Sequence, residues 1–117
     1  MRILVCGGRD FMDERFAFAA LDRAHAEWTV TCIIEGGARG ADQLGADWAR
    51  LNGVANSHCP ADWAKHGRSA GFLRNESMLL TERPDIVLAF PGGRGTAHMV
   101  RIALSAGFTV WQPGGGT

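Results

Sequence analysis

Residues 85–96 read DIVLAFPGGRGT, and this stretch indicates how the rest of the chain folds. Its first half, 85–90, is an apolar run of strand length that follows Pro84, which is typical of a buried strand. Its second half, 91–96, is rich in glycine and leads into a helical pattern that Gly107 ends. The stretch therefore predicts a strand, a glycine-rich turn and a helix in direct succession.

The same succession occurs twice more, nearer the start of the chain. The apolar run 3–6 stops at the turn GGRD (7–10), and the β-branched run 30–34 is followed by EGGARGAD (35–42). Two weaker strands and three further helices complete the pattern: strands 54–59 and 108–111, and helices over 12–28, 41–51 and the segment that Pro84 ends. Five strands that alternate with four helices predict an α/β fold, a Rossmann-like three-layer sandwich with a mainly parallel five-stranded sheet.

Length and charge limit the class of protein. The 117 residues fit one domain, which we place at 1–112, followed by a flexible tail at 113–117. Twelve Lys and Arg residues balance twelve Asp and Glu residues, so the chain lacks the broad basic field that nucleic-acid binding needs, and nucleic acid is not an expected partner. No apolar run approaches the roughly 20 residues of a membrane span, and no leader precedes the first strand, so we expect a cytoplasmic protein without a membrane partner.

The three cysteines, Cys6, Cys32 and Cys59, are odd in number and show no C-x-x-C spacing. Reduced thiols in a cytosolic protein are the expectation. Even with the neighbouring His58, their spacing matches no common zinc motif. We therefore predict no metal site and no cofactor.

The three glycine-rich turns all follow strands, so we expect them at the carboxyl edge of the sheet, where open α/β sheets bind ligands. Glycine lets a ligand approach the backbone, and the following helix offers unpaired N–H groups and a partial positive charge, which favour an anion. We therefore predict that a phosphate-bearing ligand contacts these residues: Gly7, Gly8, Arg9, Gly36, Gly37, Arg39, Pro91, Gly92, Gly93, Arg94, Gly95 and Thr96. Neither G-x-x-x-x-G-K-[ST] nor G-x-G-x-x-G occurs, which argues against a Walker-type cradle and an ordinary dinucleotide fingerprint.

A second group of candidates lies in and after the stretch 61–71, which we predict to be a long irregular loop before a helix. Loops of this length in compact domains are often functional. Arg74 and Asn75 should open the helix near the ligand edge and, with Arg68, bind phosphate or ribose hydroxyls. Trp63 has two interpretations of equal weight, since it either stacks on a base or packs the loop onto the core.

Acidic and histidine side chains near the turns have further expected roles. We interpret Asp42 as a helix-start residue that fixes its turn, with ribose contact as a secondary role. Glu35 is either a ribose-binding acid or a solvated turn residue. His66 and His98 are expected to be polar contacts or surface residues rather than acid–base groups.

Four segments together resemble a known family: VCGGRDF (5–11), EGGARGADQLGADWA (35–49), PADWAKHGRSAGFLRNESML (60–79) and FPGGRGTAHMVRIA (90–103). They are similar to the YspA, cpYpsA-related branch of the SLOG superfamily, which also contains Smf/DprA and the Lonely Guy phosphoribohydrolases. The resemblance runs from about residue 2 to residue 111. It implies a Rossmann-like sheet that binds a nucleotide-derived small molecule, such as ADP-ribose, an NAD relative or a nucleoside phosphate, as a sensor or sequestering domain.

One departure from the superfamily pattern leaves open whether the chain is an enzyme. The Lonely Guy enzymes place a catalytic Glu three residues after the Thr of P-G-G-x-G-T, and here that position is Met99. The partner Arg of that family corresponds to Arg74, which is the single catalytic candidate. The alternative function, an N-glycoside hydrolase acting on a nucleotide, needs a relocated carboxylate, for which the candidates are Asp10, Glu35, Asp42 and Glu76.

Two expectations concern partners. The resemblance, together with the apolar bulk of Trp28, Trp48 and Trp111, predicts a homodimer. The neutral charge argues against a DprA-like binder of single-stranded DNA.

Overall fold

The computed structural model describes residues 1–114, in which five strands form one parallel sheet. The strands are β1 (Arg2–Cys6), β2 (Cys32–Glu35), β3 (Ala55–His58), β4 (Ile86–Ala89) and β5 (Thr109–Trp111). Their order is β3-β2-β1-β4-β5, and every neighbouring pair is parallel. The predicted α/β fold class, a Rossmann-like sandwich, is confirmed. The end of the tail predicted at 113–117 lies outside the described residues.

Five α-helices connect the strands: α1 (Glu14–Trp28), α2 (Ala41–Leu51), α3 (Trp63–His66), α4 (Ala70–Glu82) and α5 (Arg94–Ser105). The first helix begins two residues later than predicted because Asp13 caps it, its carboxylate accepting a hydrogen bond from the Phe16 N–H at 3.0 Å. The predicted long loop at 61–71 is wrong. It is mostly helical, with α3 capped by Asp62 and a 3₁₀ turn over Gly67–Ser69 before α4.

The core has two halves, one on each face of the sheet. On one face, α1 and α2 bury Leu21 and Trp48 against β1 and β2. On the other face, α4 and α5 bury Met78 and Met99 against β1 and β4. Because strands β1, β2 and β4 are covered on both sides, they are continuous apolar runs rather than alternating ones.

The strand order places a reversal of direction beside β1. From β1 the chain winds outward through β2 to β3, and it then returns to place β4 on the opposite side of β1. The loops that leave β1 and β4 therefore diverge to opposite faces of the sheet, which opens a crevice at the carboxyl ends of these strands. In the described part of the chain, no helix is long and apolar enough to span a membrane.

Candidate ligand-binding cleft

The three glycine-rich turns meet at the carboxyl edge of the sheet and are hydrogen-bonded to one another. The Gly8 N–H donates to the Pro91 carbonyl at 2.8 Å, which joins the turns after β1 and β4. The Gly8 carbonyl accepts from the Ala41 N–H at 3.2 Å, which joins the turn after β1 to the start of α2. A Cβ atom at Gly92 would lie 2.7 Å from the Gly8 nitrogen, so this close approach requires glycine.

These turns form one side of a cleft of about 820 Å³, and α3 and α4 form the other. A cleft of this volume is in the range that holds a small molecule. Of the residues predicted for the site, those that line it are Gly7, Gly8, Arg9, Asp42, Trp63, Arg68, Arg74, Asn75, Pro91, Gly92, Gly93, Arg94, Gly95 and Thr96. The predicted residues that do not line it are Gly36, Gly37 and Arg39.

The turn after β2 contributes to the cleft indirectly. Gly36 accepts a hydrogen bond from Arg74 through its carbonyl, and a Cβ at this position would collide with the guanidinium group. Gly37 lies against the ring of His58. The Arg39 guanidinium is exposed and pairs with Asp10 at 3.0 Å. The three residues therefore shape the surroundings of the cleft rather than its surface.

The first turn of α5 presents free donors to the cleft. The helix has no side-chain cap at Gly93, and the N–H groups of Arg94, Gly95 and Thr96 have no hydrogen-bond partner among residues 1–114. Unpaired N–H groups at the start of a 12-residue helix carry a partial positive charge. The arrangement is able to bind an anionic group through the backbone.

Arg74 lies on the opposite side of the cleft, in the second turn of α4 rather than at the helix start that we predicted. Its Nε donates to Asn75 Oδ1 at 3.1 Å, and its Nη1 donates to the Gly36 carbonyl. Its Nη2 has no hydrogen-bond partner within the described chain. The guanidinium group is thus held at two points and keeps donors for a ligand.

Asp42 is buried at the base of the cleft. Its Oδ2 accepts hydrogen bonds from the N–H groups of Gly36 at 3.2 Å and Ala38 at 3.1 Å, which fixes the turn after β2. Burial raises the pKa of this carboxyl to about 6, although the two backbone N–H donors and nearby Arg74 oppose the shift. Asp42 therefore changes charge near neutral pH.

Trp63 lies at the mouth of the cleft with 50% of its surface exposed. It rests against Gly71 of α4, and the Arg9 guanidinium lies 5.7 Å from its ring centroid. The interpretation of Trp63 as a plug in the core is therefore wrong. An exposed indole beside an arginine is available for a planar ligand.

The structure decides between the alternatives left open for Glu35 and His98. Glu35 is buried rather than solvated, and it accepts hydrogen bonds from the Gly37 N–H at 2.6 Å and from His58 Nδ1 at 2.7 Å. It does not line the cleft. His98 is the first of its two expected alternatives, a polar contact, since only 5% of it is exposed and its Nδ1 lies 3.1 Å from Asn75 Nδ2.

Sequence reasoning missed several residues that line the cleft, notably Phe11, Phe72 and Met78. Phe72 lies three residues before Asn75 and Met78 lies four residues after Arg74, so a helix predicted over 70–82 would have placed them beside these two predicted site residues. Cys6 also lines the cleft, where burial and the nearby Asp42 carboxylate raise the pKa of its thiol to about 12. It is a neutral thiol rather than a nucleophile.

Met99, at the position of the superfamily's catalytic Glu, is buried in the core with Leu4 and Met78. Of the four carboxylates considered as replacements, Asp10 and Asp42 line the cleft, whereas Glu35 and Glu76 do not. Within residues 1–114, no group of three or more His, Cys, Asp or Glu side chains is placed to hold a metal ion.

Comparisons with known proteins agree with the resemblance seen in the motifs. The model of the YspA, cpYpsA-related SLOG family matches residues 1–66. The chain is also similar to the Gene 61 protein of Mycobacterium phage D29, with 40% identity over 117 aligned positions that cover 93% of each protein. No solved structure gives a significant match.

Proposed function

The chain belongs to the YspA, cpYpsA-related SLOG family, and on that premise we propose that its cleft binds a nucleotide-derived small molecule. Family membership points in general to the binding or processing of nucleotide-related ligands. The finer proposal is a sensor or sequestering domain for ADP-ribose, an NAD relative or a nucleoside phosphate. It assigns the whole cleft to one domain over residues 1–112.

The observation that carries the proposal is the pairing of two kinds of anion-binding group across one cleft. The unpaired N–H groups at the start of α5 lie on one side, and Arg74 lies on the other. The cleft is lined by four arginines and two aspartates, and the arginines are Arg9, Arg68, Arg74 and Arg94. This excess of positive charge favours a ligand with more than one negative charge, such as a diphosphate.

The remaining lining suggests how the rest of a nucleotide would lie. Trp63 and Phe72 offer exposed aromatic surface for a base. Asp42 Oδ1 has no hydrogen-bond partner among the described residues, so it is available to a ribose hydroxyl. Asn75 lines the cleft beside Arg74 and accepts a hydrogen bond from its Nε at 3.1 Å.

Calorimetric titration tests the proposal with ADP-ribose, NAD, AMP, adenosine and inorganic phosphate as separate probes. We expect ADP-ribose or NAD to bind more tightly than adenosine or phosphate, and Arg74→Ala to weaken that binding by roughly tenfold or more. Arg15→Ala is the matched control, because Arg15 is exposed on α1 and away from the cleft. Failure of all five probes to bind, or equal losses in both variants, would overturn the proposal.

A second candidate, an N-glycoside hydrolase, is favoured by one observation. Asp42 and Arg74 line the same cleft, and the Asp42 carboxyl has a pKa of about 6. In such a reaction a water oxygen bonds to the anomeric carbon and the glycosidic C–N bond breaks. Asp42 takes a proton from the water and returns one to the departing base.

Chromatography for released base separates the two candidates. Under hydrolysis, Asp42→Asn should abolish base release and keep ligand binding, because the amide oxygen still accepts the two backbone hydrogen bonds. Under binding alone, neither the natural chain nor the variant releases base. Base release that survives in Asp42→Asn would exclude Asp42 as the catalytic carboxylate.

A further inference from the structure

We propose that His98 is a positioning residue for the cleft, which acts as a neutral imidazole protonated on Nε2 and holds Asn75 and, through it, Arg74. This inference rests on the proposed function, because its consequence is measured as ligand binding. His98 itself does not line the cleft. It acts through hydrogen bonds that cross from α5 to α4.

The ring of His98 is enclosed between the two helices. Its Nδ1 lies 3.1 Å from Asn75 Nδ2, and the ring stacks on Phe72 with centroids 4.2 Å apart and planes at 23°. Both Asn75 and His98 are about 5% exposed. The contact is therefore shielded from competing water.

The orientation of the Asn75 amide is fixed by two hydrogen-bond partners, one of which can only donate and the other only accept. Arg74 Nε is a donor only, so the atom that it reaches at 3.1 Å must be the amide oxygen. The Gly95 carbonyl is an acceptor only, so the atom 3.2 Å from it must be the amide nitrogen. The second hydrogen of that nitrogen is directed to His98 Nδ1, which must be unprotonated to accept it.

When His98 Nδ1 carries a proton, neither orientation of the Asn75 amide satisfies all the hydrogen-bonding groups around it. A proton on Nδ1 would face the Asn75 NH₂ group, donor against donor. Turning the amide over would place NH₂ against Arg74 Nε–H and the amide oxygen against the Gly95 carbonyl. Both orientations leave buried groups unpaired, so uptake of a proton separates Asn75 from either α5 or Arg74.

The link matters for the cleft because it joins the two sides that would bind an anion. Gly95 belongs to the first turn of α5, whose N–H groups are free, and Arg74 is the guanidinium that faces them. Asn75 contacts both, and His98 fixes Asn75. Loss of the neutral imidazole should therefore weaken binding without removing any group that touches the ligand.

The charges around His98 favour the neutral form. Burial and Arg101 on α5 lower its pKa below the ordinary 6.5, and Glu76 on α4, whose Oε1 is 4.0 Å from Nε2, partly opposes them. Arg94 lies one turn earlier on α5, and Arg74 lies behind Asn75. The network is consequently complete at neutral pH and is lost as the pH falls through this lowered pKa.

The test combines a pH series with a conservative substitution. ADP-ribose is the probe, because its bridged phosphates do not titrate in this range. In the natural chain we expect loss of the His98 network to lower affinity by about tenfold between about pH 8 and about pH 5, while neutralisation of Asp42 over the same range acts in the opposite direction in every variant. In His98→Asn the amide oxygen replaces Nδ1 as an acceptor that does not titrate, so binding at the higher pH should be largely kept. The pH ratio, which is the affinity at the higher pH divided by the affinity at the lower pH, should be smaller than in the natural chain by roughly threefold or more.

Two controls make the comparison specific. Asp42 titrates in both proteins, so the difference between their pH ratios belongs to His98. His66→Asn changes an exposed histidine outside the cleft and should keep the full pH ratio. An unchanged ratio in His98→Asn, or a reduced one in His66→Asn, would overturn the proposal.

Nitrogen-15 NMR of the histidine rings gives a readout that does not depend on ligand or on a variant that folds. The natural chain should show His98 as the Nε2–H tautomer with a pKa below 6.5. An Nδ1–H tautomer or a charged ring at neutral pH would overturn the proposal even if ADP-ribose binds. If the tautomer is found and no probe binds, the hydrogen-bond network stands and the proposed function fails.

Discussion

Asp42 links the shape of the turn after β2 to the charge of the cleft. Its carboxyl group is buried, and that burial raises its pKa from 3.8 to about 6. A carboxyl whose pKa is raised on folding binds protons more tightly in the native state. Its contribution to stability is therefore complete below about pH 4 and is lost as the pH rises through about 6.

We expect Asp42→Asn to remove this pH dependence. The natural chain should lose on the order of 2 to 3 kcal/mol of unfolding free energy from Asp42 between about pH 4 and about pH 7, and the variant should not. Urea unfolding across this range, compared between the two proteins, isolates Asp42 from His98, whose lowered pKa acts in the opposite direction.

Asp47→Asn on the same helix is the control for that experiment. Asp47 is partly exposed and pairs with Arg50 at 3.3 Å, so its substitution should leave the pH dependence close to that of the natural chain. Identical pH curves for the natural chain and Asp42→Asn would contradict the role given to the buried carboxyl.

In the unit formed by β4, the turn after it and α5, Gly92 and Gly95 have different structural roles. A Cβ at Gly92 would lie 2.7 Å from the Gly8 nitrogen and 2.8 Å from the Thr96 Cβ. At Gly95, inside the first turn of α5, a Cβ would meet no described atom, that is, none of residues 1–114, within 4 Å. The first glycine is required for packing, whereas the second leaves the backbone open toward the cleft.

Alanine at these two positions should therefore separate stability from binding. We expect Gly92→Ala to destabilise the fold by about 1 to 3 kcal/mol, because the turns after β1 and β4 must move apart. Gly95→Ala should keep or slightly raise the melting temperature, since alanine favours helix, and should still weaken ADP-ribose binding by roughly tenfold because Gly95 lines the cleft and the added methyl group reduces the room beside the free N–H groups.

Thermal unfolding and calorimetry on both variants check these expectations. Leu104→Ala, at the other end of α5 and exposed, serves as a control that should bind normally. Normal ligand binding by Gly95→Ala would place the ligand away from the start of α5.

The segment between β3 and α4 carries helix-capping residues that the sequence analysis did not use. Asp62 precedes Trp63 and accepts from the Lys65 N–H at 3.0 Å, which is an N-cap pattern. Gly67 then ends the short helix at φ +55, and a Cβ built there would meet no atom of residues 1–114 within 4 Å. The segment is helical because a cap and a glycine with positive φ bound it, although its residues form no apolar stripe.

Gly67→Ala tests how far this segment positions Trp63. A Cβ at Gly67 meets no described residue, so the cost should come from the backbone conformation alone (φ +55, ψ −129), about 1 to 3 kcal/mol. We expect this loss of stability together with a change in Trp63 fluorescence as the indole leaves Gly71. An unaltered fluorescence spectrum would show that Trp63 is held by its other contacts, including Arg9.

At the scale of the whole molecule, the tryptophans that motivated a homodimer divide between core and surface. Trp48 is fully buried, whereas Trp28 is exposed and meets Trp111 edge to face at 6.3 Å. Large apolar side chains are also exposed on α4 and α5, including Leu80 and Leu104. The homodimer stays a prediction, and these exposed apolar side chains are the surface that could form its interface.

Light scattering at micromolar concentration measures the expected dimer mass directly. Leu80→Glu should shift the mass toward the monomer if α4 lies in the interface, and Leu51→Glu, an exposed position on α2, is the control on the opposite layer. A monomeric mass for the natural chain would contradict the homodimer.

Local sequence was enough to determine the strands, most helices and the three glycine-rich turns, because apolar run length, caps and glycine act between near neighbours. The reversal of winding direction at β1 is a consequence of the strand order. The tertiary structure decided which turn residues line the cleft, since Gly92 and Gly95 do and Gly37 and Arg39 do not. The tertiary structure also decided that Met99 is core and that His98 meets Asn75 across 23 residues of chain. Such contacts, and the raised pKa of Asp42, depend on which groups burial removes from water, and burial is a property of the packed molecule rather than of any segment.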